Sequence, residues 1–158
     1  MQQLDPAARI VFTLNGAACS VRSAPSTNAW ELLHDTIGLT GTKLACSRAV
    51  CGSCSIVVDG VPKASCAMFA FELDGTDVVT IEGIAAARHP LIDAFASRSA
   101  FQCGYCTSGM IVLAKTLLDR EAQPDRATVV EWMSSNVCRC TGYEAIVDAV
   151  LDAAKANA

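Results

Sequence analysis

CSRAVCGSC, residues 46–54, places three cysteines in one short loop, four residues apart and then two. Thiols so crowded serve one of three chemistries: a disulfide knot, a zinc site, or a cradle for an iron–sulfur cluster. Each makes a different demand on the rest of the chain. Nine cysteines occur in all, and Cys19 stands apart from the others. The remaining eight form two sets of four. The first reads C-x4-C-x2-C-x11-C (Cys46, Cys51, Cys54, Cys66) and the second C-x2-C-x31-C-x-C (Cys103, Cys106, Cys138, Cys140).

Disulfides fit poorly. The cysteine total is odd, the start MQQLDPAARI is no secretory signal, and 158 residues that are 52% hydrophobic can build a core without staples. Zinc is the stronger competitor, because two C-x2-C pairs belong to its repertoire. Structural zinc sites, however, usually pair two knuckles. Three ligands in one loop with a distant fourth is the plant-type [2Fe–2S] spacing. In such a loop backbone N–H groups turn toward the sulfurs. Gly52 permits a positive φ and close approach, and Ser53 offers a hydroxyl. The first set therefore reads as an iron–sulfur site, while spacing alone leaves iron–sulfur and zinc both open for the second.

The flanking sequence reads as two structural halves. Residues 10–22 form a hairpin around Asn15-Gly16, with Cys19 as a small buried hydrophobe in the return strand. Ser26 or Thr27 caps a helix running to Ile37 and ended by Gly38, and His34 on it is a surface or packing residue. SIVV, the turn Asp59-Gly60 and VPKASC form a second hairpin, and DVVTIEG (77–83) forms a further strand. Four amphipathic helices follow. They open at Pro90, near Thr107, after Pro124-Asp125 and at about Tyr143. His89 reads as exposed and Tyr143 as a packing residue with a hydrogen-bonded hydroxyl. The second set lies at helix boundaries, where unpaired N–H groups and the positive dipole end suit an anionic group. Arg139, between two of its cysteines, reads either as a surface residue or as a positive charge beside that group.

The formal net charge is −4 and no basic stripe is present, which excludes nucleic acid as a partner. No apolar run reaches the roughly 20 residues that span a bilayer. The expected compartment is the cytoplasm, or wherever a signal-bearing partner carries the chain. There is no nucleotide-binding glycine loop, no Ser-His-Asp candidate and no His-rich metal site.

FQCGYCTSGM (101–110) and NVCRCTGY (136–143), downstream of the plant-type loop, closely resemble the small iron–sulfur subunit of the molybdenum hydroxylases over about residues 9–152. That family includes xanthine dehydrogenase, aldehyde oxidoreductase and aerobic carbon-monoxide dehydrogenase. The resemblance implies an α+β fold: a plant-type ferredoxin-like β-grasp domain (1–84), then a four-helix bundle (85–158). It implies two [2Fe–2S] clusters, one on Cys46, Cys51, Cys54 and Cys66, the other on Cys103, Cys106, Cys138 and Cys140. Gln102 matches a glutamine that bonds the pterin of a molybdenum cofactor in a large partner subunit, and Cys140 matches the ligand nearest that pterin. FAD in a medium subunit, or another acceptor, would take the electrons. The chain would be the electron-transfer subunit of an oxidoreductase acting on an N-heterocycle or aldehyde, with no substrate-converting site of its own. Two departures stand out. Ser108 occupies a position where proline is common, with little change expected, and Ser47–Val50 lack a glycine that many members carry.

Overall fold

The computed structural model describes residues 7–156, so the expected domain ends at 1–6 and 157–158 lie outside it. β1 (Ala8–Leu14) and β2 (Ala17–Ser23) form the first hairpin. Asn15 and Gly16 both take positive φ, 52° and 81°, the turn whose twist matches the flanking strands. β3 (Ser55–Val58) and β4 (Val61–Ala64) repeat the device with Asp59 and Gly60 at 49° and 76°. β5 (Asp77–Val79) lies between the hairpins, parallel to β1 and antiparallel to β3. The resulting mixed sheet has the order β2-β1-β5-β3-β4.

Every residue of β3 is buried because both faces of the sheet are covered. Ile56 and Val58 pack with Phe12, Leu32 and Leu73 on one face. Val57 on the other joins a cluster with Met110, Leu113 and Leu117. Those three belong to α4 (Thr107–Arg120), the central helix, which also packs on α2 (Ile81–Ala86), α3 (Pro90–Ser97) and α5 (Arg126–Met133). α6 (Glu144–Ala156) closes the group against α3 and α5. The chain is thus α+β, a five-stranded sheet with helices. Among the described residues no helix is long and apolar enough to cross a membrane.

Three sequence expectations need correction. The first helix is capped by Asn28, not Ser26 or Thr27. Asn28 Oδ1 accepts from Glu31 N (2.8 Å) and Glu31 Oε2 accepts from Asn28 N (3.1 Å), a reciprocal capping box. After α1 (Ala29–Glu31) the helix widens to a π turn over Leu32–Thr36, and Gly38 at φ 88° follows. Residues 77–83 are not all strand. Asn15 takes the next rung with its side chain, accepting from Thr80 N (2.8 Å) and donating to Thr80 Oγ1 (3.0 Å), so the ladder stops and α2 begins. Residues 84 and 85 both lie inside that helix. Finally, His89 is half-buried and caps α3, its Nδ1 accepting from Leu91 N (3.2 Å). Burial, and secondarily Lys115, lowers its pKa against the opposing pull of Asp119. The helix starts at Pro90 and Asp125 follow the expected chemistry. Asp125 accepts from Thr128 N at 2.7 Å, and that bond lowers its pKa.

Candidate metal centres

The 46–54 loop turns its backbone inward on sulfur. Arg48, Val50 and Cys51 N–H groups donate to Cys46 Sγ, and the Ala49 N–H donates to Cys66 Sγ, all at 3.4 Å. Positive φ at Ser47 and Ala49, 54° and 55°, curls the chain into a nest for negative charge. Three such donors, led by Cys51 and Val50, lower the pKa of the partly buried Cys46 thiol to about 6. Cys54, 2% exposed at the inner end, is pushed up to about 11 by burial. Cys66 sits on a 3-10 turn (Ser65–Ala67) directly after β4. Buried Ser65 fastens that turn by donating to Cys54 O at 2.7 Å.

Ala49 is an alanine in a conformation that favours glycine. Ala49→Gly is expected to stabilise the chain by about 0.5–1 kcal/mol, the strain relieved less the added freedom of the unfolded chain. The gain would appear as a higher denaturant midpoint of the full-length chain at unchanged slope.

The second set gathers at two helix boundaries. Cys106 is the N-cap of α4, with Cys103 one turn before it, and Cys138 and Cys140 lie between α5 and α6. Burial pushes the Cys106 thiol to about 12. Burial also pushes Cys138 upward, but the Thr141 hydroxyl, donating at 3.1 Å, and nearby N–H groups outweigh it and leave Cys138 below the usual thiol value. The hydrogen bond between Cys140 and Cys103 is the leading cause of the raised Cys140 pKa. A cleft of ≈ 200 Å³ opens among these four cysteines and is also lined by Cys51 of the first set and by exposed Arg139.

Within the sets, Cys140 donates to Cys103 at 3.7 Å and Cys46 accepts from the Cys51 N–H at 3.4 Å, while Cys66 is among the groups that act on the Cys54 thiol and Cys138 among those that act on Cys106. None of the nine cysteines is in a disulfide. A structural zinc site would draw the four thiolates of a set about one ion. In a [2Fe–2S] cluster each of two irons takes two thiolates. The donor chemistry fits the cluster, since soft sulfur and inward N–H groups favour it over a hard cation.

Gln102 and Cys140 are brought together on the surface, where Gln102 Nε2 donates to Cys140 O at 2.9 Å beside exposed Phe101 and Tyr105. Tyr143 accepts from Cys138 N (2.8 Å) and donates to Asn136 O (2.9 Å), as its hydroxyl was expected to do in packing. Ser108 lies in the first turn of α4, and its buried hydroxyl, like that of Thr107, has no hydrogen-bond partner. His34 stacks on Trp30 at 4.6 Å and is hydrogen-bonded through Nδ1 to Asp35 Oδ1 (2.8 Å). Cys19, also outside both sets, is partly buried against the sheet core, and burial raises its pKa.

Sequence reasoning missed the residues that join the two sets. Asn136, 4% exposed, donates to Gly52 O (3.2 Å) and Gly109 O (3.0 Å). The next residue, Val137, donates its N–H to Cys51 O at 2.9 Å. Tyr105 reaches back to Leu44 O at 2.6 Å. The only signal in the sequence was an asparagine two residues before C-x-C.

Residues 80–151 match a [2Fe-2S] binding domain family, and residues 39–101 match a 2Fe-2S iron-sulfur cluster binding domain family. The chain is 41% identical over 143 residues to the nicotinate dehydrogenase small FeS subunit of Eubacterium barkeri, covering 89% of this chain and 91% of that one. It is 46% identical over 137 residues to the nicotine 6-hydroxylase small subunit of Paenarthrobacter nicotinovorans, covering 84% and 83%. Among solved structures, quinoline 2-oxidoreductase from Pseudomonas putida 86 superposes with a TM-score of 0.93 at 40% identity, covering 97% of each chain.

Proposed function

Because the chain belongs to the small [2Fe–2S] iron–sulfur subunits of the molybdenum hydroxylases, we propose that it carries electrons inside a heteromeric molybdenum-dependent oxidoreductase. The observation that carries this reading is the gathering of each set of four cysteines, the first under a loop whose N–H groups donate to the Cys46 and Cys66 sulfurs and the second around one cleft. Cys46, Cys51, Cys54 and Cys66 hold one [2Fe–2S] cluster, and Cys103, Cys106, Cys138 and Cys140 hold the other. The clusters supply one-electron redox chemistry, and the chain's own residues set their surroundings. Loop N–H groups face the first sulfurs, while Thr141, Cys138 N and Tyr143 order the second site.

The exposed face with Gln102 and Cys140 meets the pterin of a molybdenum cofactor in a large partner subunit. Electrons enter there and leave from the first set toward FAD in a medium subunit, or toward another acceptor. The fold reads as a β-grasp domain (1–84) and a four-helix bundle (85–158), with α2 across their junction. Nicotinate, nicotine and quinoline in the relatives' names favour an N-heterocycle as substrate, with an aldehyde as the alternative. The compartment is the cytoplasm unless a partner directs export.

The test is metal and acid-labile sulfide analysis of the native assembly, purified anaerobically, with paramagnetic resonance during stepwise reduction. Two distinct [2Fe–2S] signals together with molybdenum are expected. Zinc without sulfide would overturn the reading and make both sets structural sites. Two clusters on a chain that purifies without a molybdenum subunit would instead point to a free ferredoxin.

A further inference from the structure

In the first set the sulfurs are served by backbone, through the N–H groups that reach Cys46 and Cys66 at 3.4 Å. The second set recruits a side chain as well. The Thr141 hydroxyl donates to Cys138 Sγ at 3.1 Å. The backbone N–H groups of Cys140 and Thr141 also act on this sulfur, and they do so whatever side chain stands at 141.

The hydroxyl is held in one orientation. Its oxygen accepts from Tyr143 N at 3.3 Å, which leaves its proton for the sulfur. The turn that brings Tyr143 N round is left-handed at two successive residues, Gly142 at φ 70° and Tyr143 at φ 71°. A bulky residue adopts that region only under constraint. Here the constraint is the far end of the same side chain. The Tyr143 hydroxyl accepts from Cys138 N at 2.8 Å and donates to Asn136 O at 2.9 Å. The Cys138 N–H is thereby engaged with tyrosine.

A cluster that takes up an electron gains one negative charge, spread over its sulfurs. A donor on a ligand sulfur holds the reduced form more strongly than the oxidised one and raises the reduction potential. We propose that the Thr141 hydroxyl sets the reduction potential of the second site, holding it above the value that thiolates and backbone alone would give. The inference rests on the relay reading above and deepens it: the second site is the first acceptor of an electron from the partner's molybdenum, and a raised potential favours its entry. Iron held by the second set gains that electron, the molybdenum site loses it, and the hydroxyl keeps its proton.

The test is a redox titration of the intact assembly followed by paramagnetic resonance. Thr141→Val keeps the branched shape and deletes the hydroxyl. Both signals should survive, but the midpoint of the second centre should fall, so that at a fixed potential its ratio of reduced to oxidised form drops several-fold. The midpoint of the first centre should stay. Thr141→Ser restores the hydroxyl and should titrate like the unmodified assembly. A hydroxyl proton exchanges with water far faster than a hydrogen-bonded amide. A brief transfer of the unmodified assembly into heavy water should therefore remove a proton coupling from the second centre.

An unmoved second midpoint in Thr141→Val overturns the proposal. So does an equal fall in Thr141→Ser, which would make packing rather than the hydroxyl the cause. If Thr141→Val loses the second signal, the heavy-water measurement decides, and the absence of a fast-exchanging coupling overturns the proposal. An unmodified assembly that lacks a second [2Fe–2S] centre overturns the relay reading itself, and the role of Thr141 with it.

Discussion

Serine at Cys106 is expected to remove one of the two paramagnetic centres and leave the other intact. Cys106 caps α4, and Cys138 is among the groups that act on its thiol. Serine keeps the shape of the cap but replaces a soft, polarizable ligand with a hard oxygen that iron–sulfur chemistry favours far less. The two sites hang on different elements. The first rests on the 46–54 loop and the turn after β4, beside a core built on Phe12, Leu32 and Ile56. The second rests on the start of α4 and the α5–α6 connection, over a core built on Met110, Val129 and Ile146. Losing one should therefore spare the other, and iron and acid-labile sulfide per chain should fall by about half. Loss of both signals would mean that the sites fold as one unit. Retention of both would remove Cys106 from the ligand set.

What was legible in the sequence was local. Asn15-Gly16 and Asp59-Gly60 announce hairpins because few residues accept two consecutive positive φ values, and both turns form. Pro90 and Asp125 announce helix starts through fixed φ and side-chain capping, and both helices begin there. The cysteines declare themselves by spacing. What was not legible depends on partners distant in sequence. Thr80 and Ile81 look like a continuing strand, since both are β-branched. Only the Asn15 side chain, folded across from the first hairpin, shows why the ladder ends there. Asn28 prevails over Ser26 and Thr27 as a cap because Glu31 answers it and because Asn28 also bridges to Phe69. No glycine stands at position 49 to mark its positive φ; the conformation goes with successive N–H groups that face sulfur. Asn136 is the clearest case. Nothing near it indicates burial, and its two acceptors are 84 and 27 residues away.

Gly52→Ala should be among the most damaging single-methyl changes in the chain. Two penalties coincide at that position. Its φ of 70° belongs to the left-handed region, and the added carbon would lie 1.5 Å from Asn136 Oδ1. The first costs about 1–2 kcal/mol, and overpacking a well-filled interior costs about 1–3 kcal/mol. A combined loss of about 3 kcal/mol is a large share of a typical domain's stability. Asn136 cannot yield freely, because moving it strands the Gly52 and Gly109 carbonyls that it satisfies. The two effects are separable. In an Asn136→Ala background the clash disappears while the backbone strain stays, so Gly52→Ala should cost less there than in the native chain. The difference, read from denaturant midpoints across the four-member cycle, should be about 1–2 kcal/mol, within the range found for residues in contact. Strict additivity would mean that the loop shifts to admit the methyl and that Gly52 is needed only for its φ. A coupling of the expected sign would mean that one amide side chain sets how closely the two thiol loops approach.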